Sequence, residues 1–471
     1  MLLLVCLYVF FFVAIGSLWA AVWKRECGDR IIFAPFVVFC GLDLLMVWIA
    51  PIYARVTGIS EDLYASLVIL TSSLAFVLGY VLTHDLIGKR AANSLDFWKR
   101  PLVRGSPQAH VFAILACSVL LIRLGWYYYE GAPPILTAIT LLLTEGDDDG
   151  SVASFASEER FRLTKAHYFG GEYRGQGIVR QVMAVGWPLL ASVSWLLFLQ
   201  RRTLPRLLLS CLLVFACFVY IAGDGTRGPF LWSLVSIVIV LSLVVRIRLR
   251  TLLVIGTALL VLFFALSTVK KIATHARNGT LLTGGVSKLA ERIFIGNGLN
   301  TVHAIELVRS GQIQMRYGGI HSMDIINALP GTTARDGTPF AYELFTILEP
   351  NKRGTTYLST TYHGKLYGDF GWMGTVVGFF LLGMVLALSS HILFSLRKTV
   401  LNTALIGLTC VPLGKSVMTG PIELAPFVAT LLPVAAVYAT CLSLWTVYRP
   451  VTRSVRAAGA CRIRASTLQR E

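Results

Sequence analysis

The chain is predicted to be an all-α polytopic membrane protein, and three observations carry that expectation. Of its 471 residues, 55% are hydrophobic and 14% charged, with a mean hydropathy of +0.69. Apolar runs close to the ~20 residues needed to cross a bilayer recur along most of the sequence. Basic residues gather in every second linker between those runs.

The apolar segments lie at approximately 2–22, 31–53, 62–83, 109–127, 178–199, 206–222, 229–245, 251–268, 371–393, 402–418 and 424–446, which makes about eleven spans. They divide the chain into a first bundle of eight spans (1–268), a large polar loop or cap (269–370), a last group of three spans (371–448) and a basic tail (449–471). The first segment is expected to be a true span rather than a signal peptide, because its basic residues follow the apolar run and no small-residue cleavage motif comes after it. Residues 135–143 are apolar but too short to cross, and after Pro133-Pro134 they read as a re-entrant or interfacial segment, or as a strand-like piece covering the outer face. Pro412, Gly414 and Lys415 interrupt the tenth span, and Pro421 and Pro426 follow it, so a broken end is expected there.

The linkers after the first, third, fifth, seventh, ninth and eleventh spans hold Lys24, Arg25 and Arg30, then Lys89, Arg90, Lys99, Arg100 and Arg104, then Arg201, Arg202 and Arg206. They continue with Arg246, Arg248 and Arg250, with Arg397 and Lys398, and with the arginines of the tail. Lys and Arg beside span ends are retained in the cytoplasm. The N-terminus and two long loops, 128–177 and 269–370, are therefore expected outside and the C-terminus in the cytoplasm. The net charge of +17 follows from this retention and from attraction to anionic lipid heads, not from nucleic-acid binding. All nine cysteines fall in spans or cytoplasmic segments, so no disulfide is expected in the outer loops. No cysteine cluster has zinc-ligand spacing and no Walker loop is present, so neither a zinc site nor ATP-driven transport has support.

A large polar loop beside a bundle suits chemistry on a membrane-borne substrate better than a simple channel. The first exterior loop carries Glu145-Gly146-Asp147-Asp148-Asp149, which reads as a solvated turn because it lacks the ordered spacing of a calcium loop. Tyr168-Phe169-Gly170-Gly171-Glu172-Tyr173-Arg174-Gly175-Gln176-Gly177 then leads into a span. Its glycines permit close approach, and the Arg174 guanidinium can meet a phosphate bidentately or simply anchor to lipid heads. Gly223-Asp224-Gly225-Thr226-Arg227-Gly228-Pro229 is a short exterior turn whose Gly and Pro explain the bend but not Arg227. Arg174 and Arg227 flank consecutive spans on one face and can converge on one diphosphate.

The large loop supplies acid–base candidates. Residues 299–309 have helical spacing, and His303 within them reads as structural. Arg316, His321, Asp324, Arg335, Asp336, Glu343 and Glu349 follow in a stretch broken by Pro330, Gly331, Gly337 and Pro339. The segment from Thr355 to Gly371 contains Tyr362, His363, Lys365 and Tyr367. Its aromatics fit either sugar stacking or an interfacial belt. His363, His321 and Glu343 are the candidate bases, His363 first because it stands nearest the ninth span. Arg316, Arg335, Tyr362, Lys365 and Tyr367 are candidate substrate contacts.

Tyr367-Gly368-Asp369-Phe370-Gly371-Trp372-Met373-Gly374 is similar to the segment that follows the large loop in the O-antigen and capsular repeat-unit (Wzy-like) polymerases. The many spans, the late exterior loop, the Gly-Arg-Gly loop and the Gly-x-Arg turn share that resemblance, which extends more distantly to O-antigen ligases and other integral-membrane, GT-C-like glycosyltransferases. It implies an undecaprenyl-diphosphate-linked oligosaccharide donor and acceptor, transfer on the outer face of the bacterial inner membrane without cofactor or metal, and a possible chain-length regulator as partner. By that likeness Arg174 and Arg227 take the family's arginine roles, and His321 and His363 both stay open as counterparts of the ligase histidine. A ligase, or a transporter of lipid-linked sugars without chemistry, is the competing expectation. A transporter predicts charged residues deep in spans, where only Asp43 and Arg123, with Glu423 near a span start, stand out.

Overall fold

The computed structural model describes residues 2–28, 33–59, 63–87, 93–103, 105–134, 136, 176–223, 228–248, 250–251, 254, 257, 296–328, 340–350 and 358–445. Eight helices among them are long and apolar enough to cross a membrane. The chain is a multi-pass α-helical membrane protein.

Helix α1 (Leu2–Cys27) comes first. Helix α2 (Pro35–Asp43) passes through a π turn (Leu44–Trp48) into α3 (Ile49–Val56), and α4 (Leu63–Ile87) returns beside them. After the short α5 (Ser94–Lys99) come α6 (Pro107–Tyr129), α7 (Gln176–Gln200), α8 (Leu204–Ile221) and α9 (Gly228–Ser242). The predicted eighth span, 251–268, lies outside the described residues except at 251, 254 and 257. Three cap helices follow: α10 (Gly296–Arg309), on the helical spacing noted above, then α11 (Gly319–Ala328) and α12 (Phe340–Leu348). Three long helices complete the bundle: α13 (Tyr362–Ser395), α14 (Val400–Thr419) and α15 (Leu424–Trp445).

Three apolar cores share α14, the smallest of them joining it to α5, α9 and the end of α13. The first gathers α1, α2, α4, α10 and α13, and the second α6, α7, α8, α9 and α15. The α4–α13 seam is the most extensive helix contact, and glycine makes it possible. A Cβ at Gly79 would stand 2.1 Å from the Phe380 carbonyl oxygen, and one at Gly383 would stand 2.1 Å from that of Phe76. Small residues at such crossings let backbones touch, which is how helices gain dispersion energy where lipid removes the hydrophobic drive.

Helix α13 is not one straight rod. Gly371 sits at φ 65°, ψ −162°, a conformation open to glycine and hardly to other residues. The chain folds back there: the His363 ring lies 3.9 Å from the Phe379 ring, and a Cβ at Gly378 would meet Leu366. A straight helix would separate residues 363 and 379 by about 24 Å. Residues 362–370 therefore form a short re-entrant arm that rises to Gly371 before the long arm descends. Only the long arm is apolar enough to read as a span, which is why its predicted start falls at residue 371.

At the end of the bundle away from the cap, basic residues bind the helix termini. Arg25 pairs with Asp85 at 2.6 Å, the Arg100 guanidinium donates to the carbonyls of Phe394 and Leu396, and Lys398 Nζ donates to the Trp98 carbonyl. Cations near helix C-termini compensate the carbonyls left without intrahelical partners.

Candidate active site

A cavity of about 660 Å³ opens at the cap end between α7, α9, α14 and the start of α15. Four prolines line it: Pro188 inside α7, Pro412 inside α14, Pro229 and Pro426. The internal prolines of α7 and α14 each remove one backbone hydrogen bond and press on the carbonyl a turn earlier beside the cavity, while away from it α9 and α14 meet closely, a Cβ at Gly407 standing 2.9 Å from the Val240 Cα. The floor is apolar, formed by Ala184, Val185, Leu408 and Val411. The wall and rim carry Gln181, Trp232, Asp324, Lys365 and Lys415.

These polar groups are held in place. Lys365 Nζ donates to Asp324 at 2.7 Å and to the Thr419 carbonyl at 3.3 Å, tying the re-entrant arm to α11 and to the end of α14. Lys415 Nζ lies 5.1 Å from the centre of the Trp232 ring, within the range of cation–π attraction. Gln181 Oε1 accepts from the Thr430 hydroxyl, which links α7 to α15. Two ammonium groups and one carboxylate among the described lining residues give the cavity a positive balance, suited to an anion.

His321 stands one helical turn from Asp324 on the same face of α11, beside the cavity rim. Its Nδ1 is 2.5 Å from Asp369 Oδ2. The same carboxylate accepts the backbone N–H groups of Ile320 and His321, so Asp369 caps the first turn of α11 from another element. The neighbouring carbonyls of Gly368 and Asp369 accept the N–H groups of Arg316 and Tyr317. The segment Gly368-Asp369 is thus a clasp holding the cap to the re-entrant arm, and it orients one imidazole. The carboxylate fixes the ring with Nδ1 as donor and leaves Nε2 able to accept a proton. Nε2 is buried, with no hydrogen-bond partner among the described residues; the ring packs on Tyr362 and Phe370, the side chain as a whole is 17% exposed, and His321 is not itself among the residues that line the cavity.

His363 is placed differently. It has no exposed surface, does not line the cavity, and faces Asp43 and Phe379 in the interior. Glu343 is joined to Arg316 at 2.5 Å, with Arg316 also 6.0 Å from the Phe340 ring centre, so these two candidates neutralise each other. The Tyr367 hydroxyl is 3.3 Å from that of Tyr64. Tyr362 packs between His321 and Phe379, tight against Gly420. His303 pairs within its own helix with Glu306.

Arg174, Arg227, Arg335 and the aspartates at 147–149 lie outside the described residues. Gly228, next in sequence to Arg227, lines the cavity, and α7 begins two residues after Arg174. No group of three or more His, Cys, Asp or Glu side chains among the described residues is arranged to hold a metal. Sequence reasoning missed Lys415, Gln181 and Trp232 as parts of a site. A lysine inside an apolar run is a functional signal in its own right, whereas in the linear sequence Lys415 reads as an interruption of the span.

Comparison with protein-family models, with curated proteins and with solved structures finds no match to this chain.

Proposed function

We propose that the chain is an integral-membrane glycosyltransferase that polymerises lipid-linked oligosaccharide repeat units on the outer face of a bacterial inner membrane, with its cap outside and its basic tail in the cytoplasm. One observation supports this above the others: a cavity of about 660 Å³ with a positive wall and an apolar floor opens at the cap end and leads into the bundle. A lipid-diphosphate donor has that pairing of anionic head and apolar tail. The reading assigns Lys415 to the diphosphate, together with Arg174 and Arg227 from the adjoining segments, with the Lys365–Asp324 pair beside it. Charge that builds on the diphosphate as the glycosidic bond breaks is then met by fixed cations.

In this scheme His321 is the base in preference to His363, because a base must reach the proton it removes. His321 stands one turn from the rim residue Asp324, keeps a partly exposed side chain and has Asp369 behind it, whereas His363 has no exposed surface. The acceptor hydroxyl attacks the anomeric carbon, its proton passes to His321 Nε2, and the diphosphate leaves without an acid. Undecaprenyl diphosphate is the proposed carrier of both donor and acceptor.

Chain-length analysis of lipid-linked glycan in cells lacking the protein tests the reading. Single repeats on the carrier are expected. Long chains stranded on the carrier would mean lost ligation, and repeats trapped on the inner leaflet would mean lost transport; either result would replace polymerisation.

A further inference from the structure

Three carboxyl groups among the described residues are buried; besides Asp369, already described, they are Glu26 and Asp43, and the surroundings of these two differ. Glu26, at the end of α1, has a donor on each oxygen: the Tyr80 hydroxyl on Oε1 at 3.1 Å and the Ser94 N–H on Oε2 at 3.1 Å. That is how a carboxylate is satisfied, since both of its oxygens accept. Asp43, at the end of α2, has both donors on one oxygen. The Ser73 hydroxyl reaches Oδ2 at 2.6 Å, and the Trp48 indole N–H is shared between Oδ2 at 3.2 Å and the Ser73 hydroxyl oxygen at 3.1 Å. Oδ1 has no hydrogen-bond partner among the described residues, and neither does either ring nitrogen of His363, whose Nε2 is 3.7 Å away.

The π turn contributes to this arrangement. In an α-helix, residues five apart stand roughly 140° round the axis from one another. The wider turn over Leu44–Trp48 instead brings residue 48 round to residue 43, so the indole N–H reaches Oδ2. Such turns concentrate at functional positions. Asp43 and His363 are 1% and 0% exposed. The other titratable groups nearby are Cys40 on α2 and Tyr362 on α13; no lysine or arginine is paired with Asp43 among the described residues.

We infer that Asp43 is a protonated carboxylic acid in the folded protein, with its hydroxyl at Oδ1 aimed at Nε2 of a neutral His363. A protonated carboxyl group has one carbonyl oxygen that can take two donors and one hydroxyl that donates. The partners of Asp43 are distributed in that way. An ionised Asp43 beside a neutral imidazole would leave an uncompensated charge in the low-dielectric interior, and a charged pair would bury two. The neutral pair buries none, and a shift of less than about an ångström brings Oδ1 within hydrogen-bond reach of Nε2. This is a proton site independent of the cavity. It pins the re-entrant arm of α13 to the π turn of α2.

The test uses the full chain purified in detergent, with infrared difference spectra of wild type and Asp43→Asn at neutral pH. A protonated-carboxyl C=O band is expected in the wild type and absent from the variant. Asp43→Asn is also expected to melt within a few degrees of wild type, because the amide oxygen keeps the Ser73 and Trp48 donors while its N–H₂ faces Nε2. His363→Leu is expected to melt lower, and adding Asp43→Asn to it should raise the melting temperature again. If Asp43→Asn melts as low as Asp43→Ala, or the wild type shows no protonated-carboxyl band, Asp43 is ionised and the inference is overturned.

Discussion

The α4–α13 seam and the cavity walls are built from the same kind of apolar helix, yet one closes completely and the other stays open. In the seam Gly79 and Gly383 let backbones meet, and beside it even a carboxyl and an imidazole are enclosed. Around the cavity Pro188, Pro229, Pro412 and Pro426 stand where the helices would otherwise pack, and charged side chains line the space. The two histidines follow the same division. Each has an aspartate beside it, but the His363–Asp43 pair is sealed in the seam while the His321–Asp369 pair stands next to the opening. Packing, more than residue type, separates a candidate for chemistry from a candidate for structure.

The largest expected effect breaks the closed region. Gly383→Ala sets a Cβ against the Phe76 carbonyl and cannot be absorbed by a flexible side chain, so destabilisation of about 3 kcal/mol or more is expected. Melting in detergent measures it. Ser233→Ala, on the cavity wall, removes only a hydroxyl bonded to the Pro229 carbonyl and should cost below about 1 kcal/mol. Equal losses at the two positions would end the distinction between seam and cavity.

The second effect separates the histidines. His321→Gln is expected to lower transfer by roughly 10²-fold or more with the fold retained, since it removes the proposed proton acceptor. His363→Gln should leave transfer by the folded fraction within about threefold of wild type, and its loss should register as stability. Single-turnover assays on protein normalised for folded amount decide between them. The reverse order would return the base to His363.

Much of this division was hidden in the linear sequence. The long helices were legible because bilayer-length apolar runs leave little choice of structure, and α10 was legible from its period. The re-entrant arm was not. Tyr362, His363, Lys365 and Asp369 make residues 362–370 look like a polar loop, and only their partners on α2, α11 and α14 allow them to enter the bundle. Asp324 and Lys365 are 41 positions apart, Asp369 and His321 are 48 apart, and no local pattern announces either pair. The π turn at residues 44–48 gave no signal in composition.

A third effect is smaller and confined to the cavity. Lys415→Met keeps length and apolar bulk but removes the charge above Trp232, so transfer should fall about tenfold, near 1.4 kcal/mol of lost anion contact, with melting unchanged. Pro412→Ala sharpens the same point in the opposite direction. Restoring the backbone hydrogen bond should stabilise α14 by roughly 1 kcal/mol or more while narrowing the space and slowing transfer a few-fold. If both substitutions leave transfer unaltered, the substrate lies elsewhere in the cap.

The smallest effect is expected at the far end, where neither histidine pair operates. Lys398 is largely buried, donates to the Trp98 carbonyl, and lies 5.3 Å from the Phe97 ring centre. Burial, with a lesser contribution from the Arg100 charge, pushes its ammonium pKa down to about 8 from 10.5. The charged form is thus the disfavoured one in the folded state. Below pH 8 the folded and unfolded chains both carry the proton, and the penalty is constant. Between about pH 8 and 10.5 the unfolded chain holds more protons than the folded one, so this residue makes stability rise with pH, levelling above that range. Its hydrogen bond and ring contacts offset part of the penalty, and the visible slope should be shallow. Lys398→Met removes the titration, so the difference in melting temperature, wild type minus variant, should climb from pH 8 to pH 10 and stay flat below pH 7.5. A flat difference across the whole range would mean that solvent reaches the ammonium, and that the far end is looser than the cap end it supports.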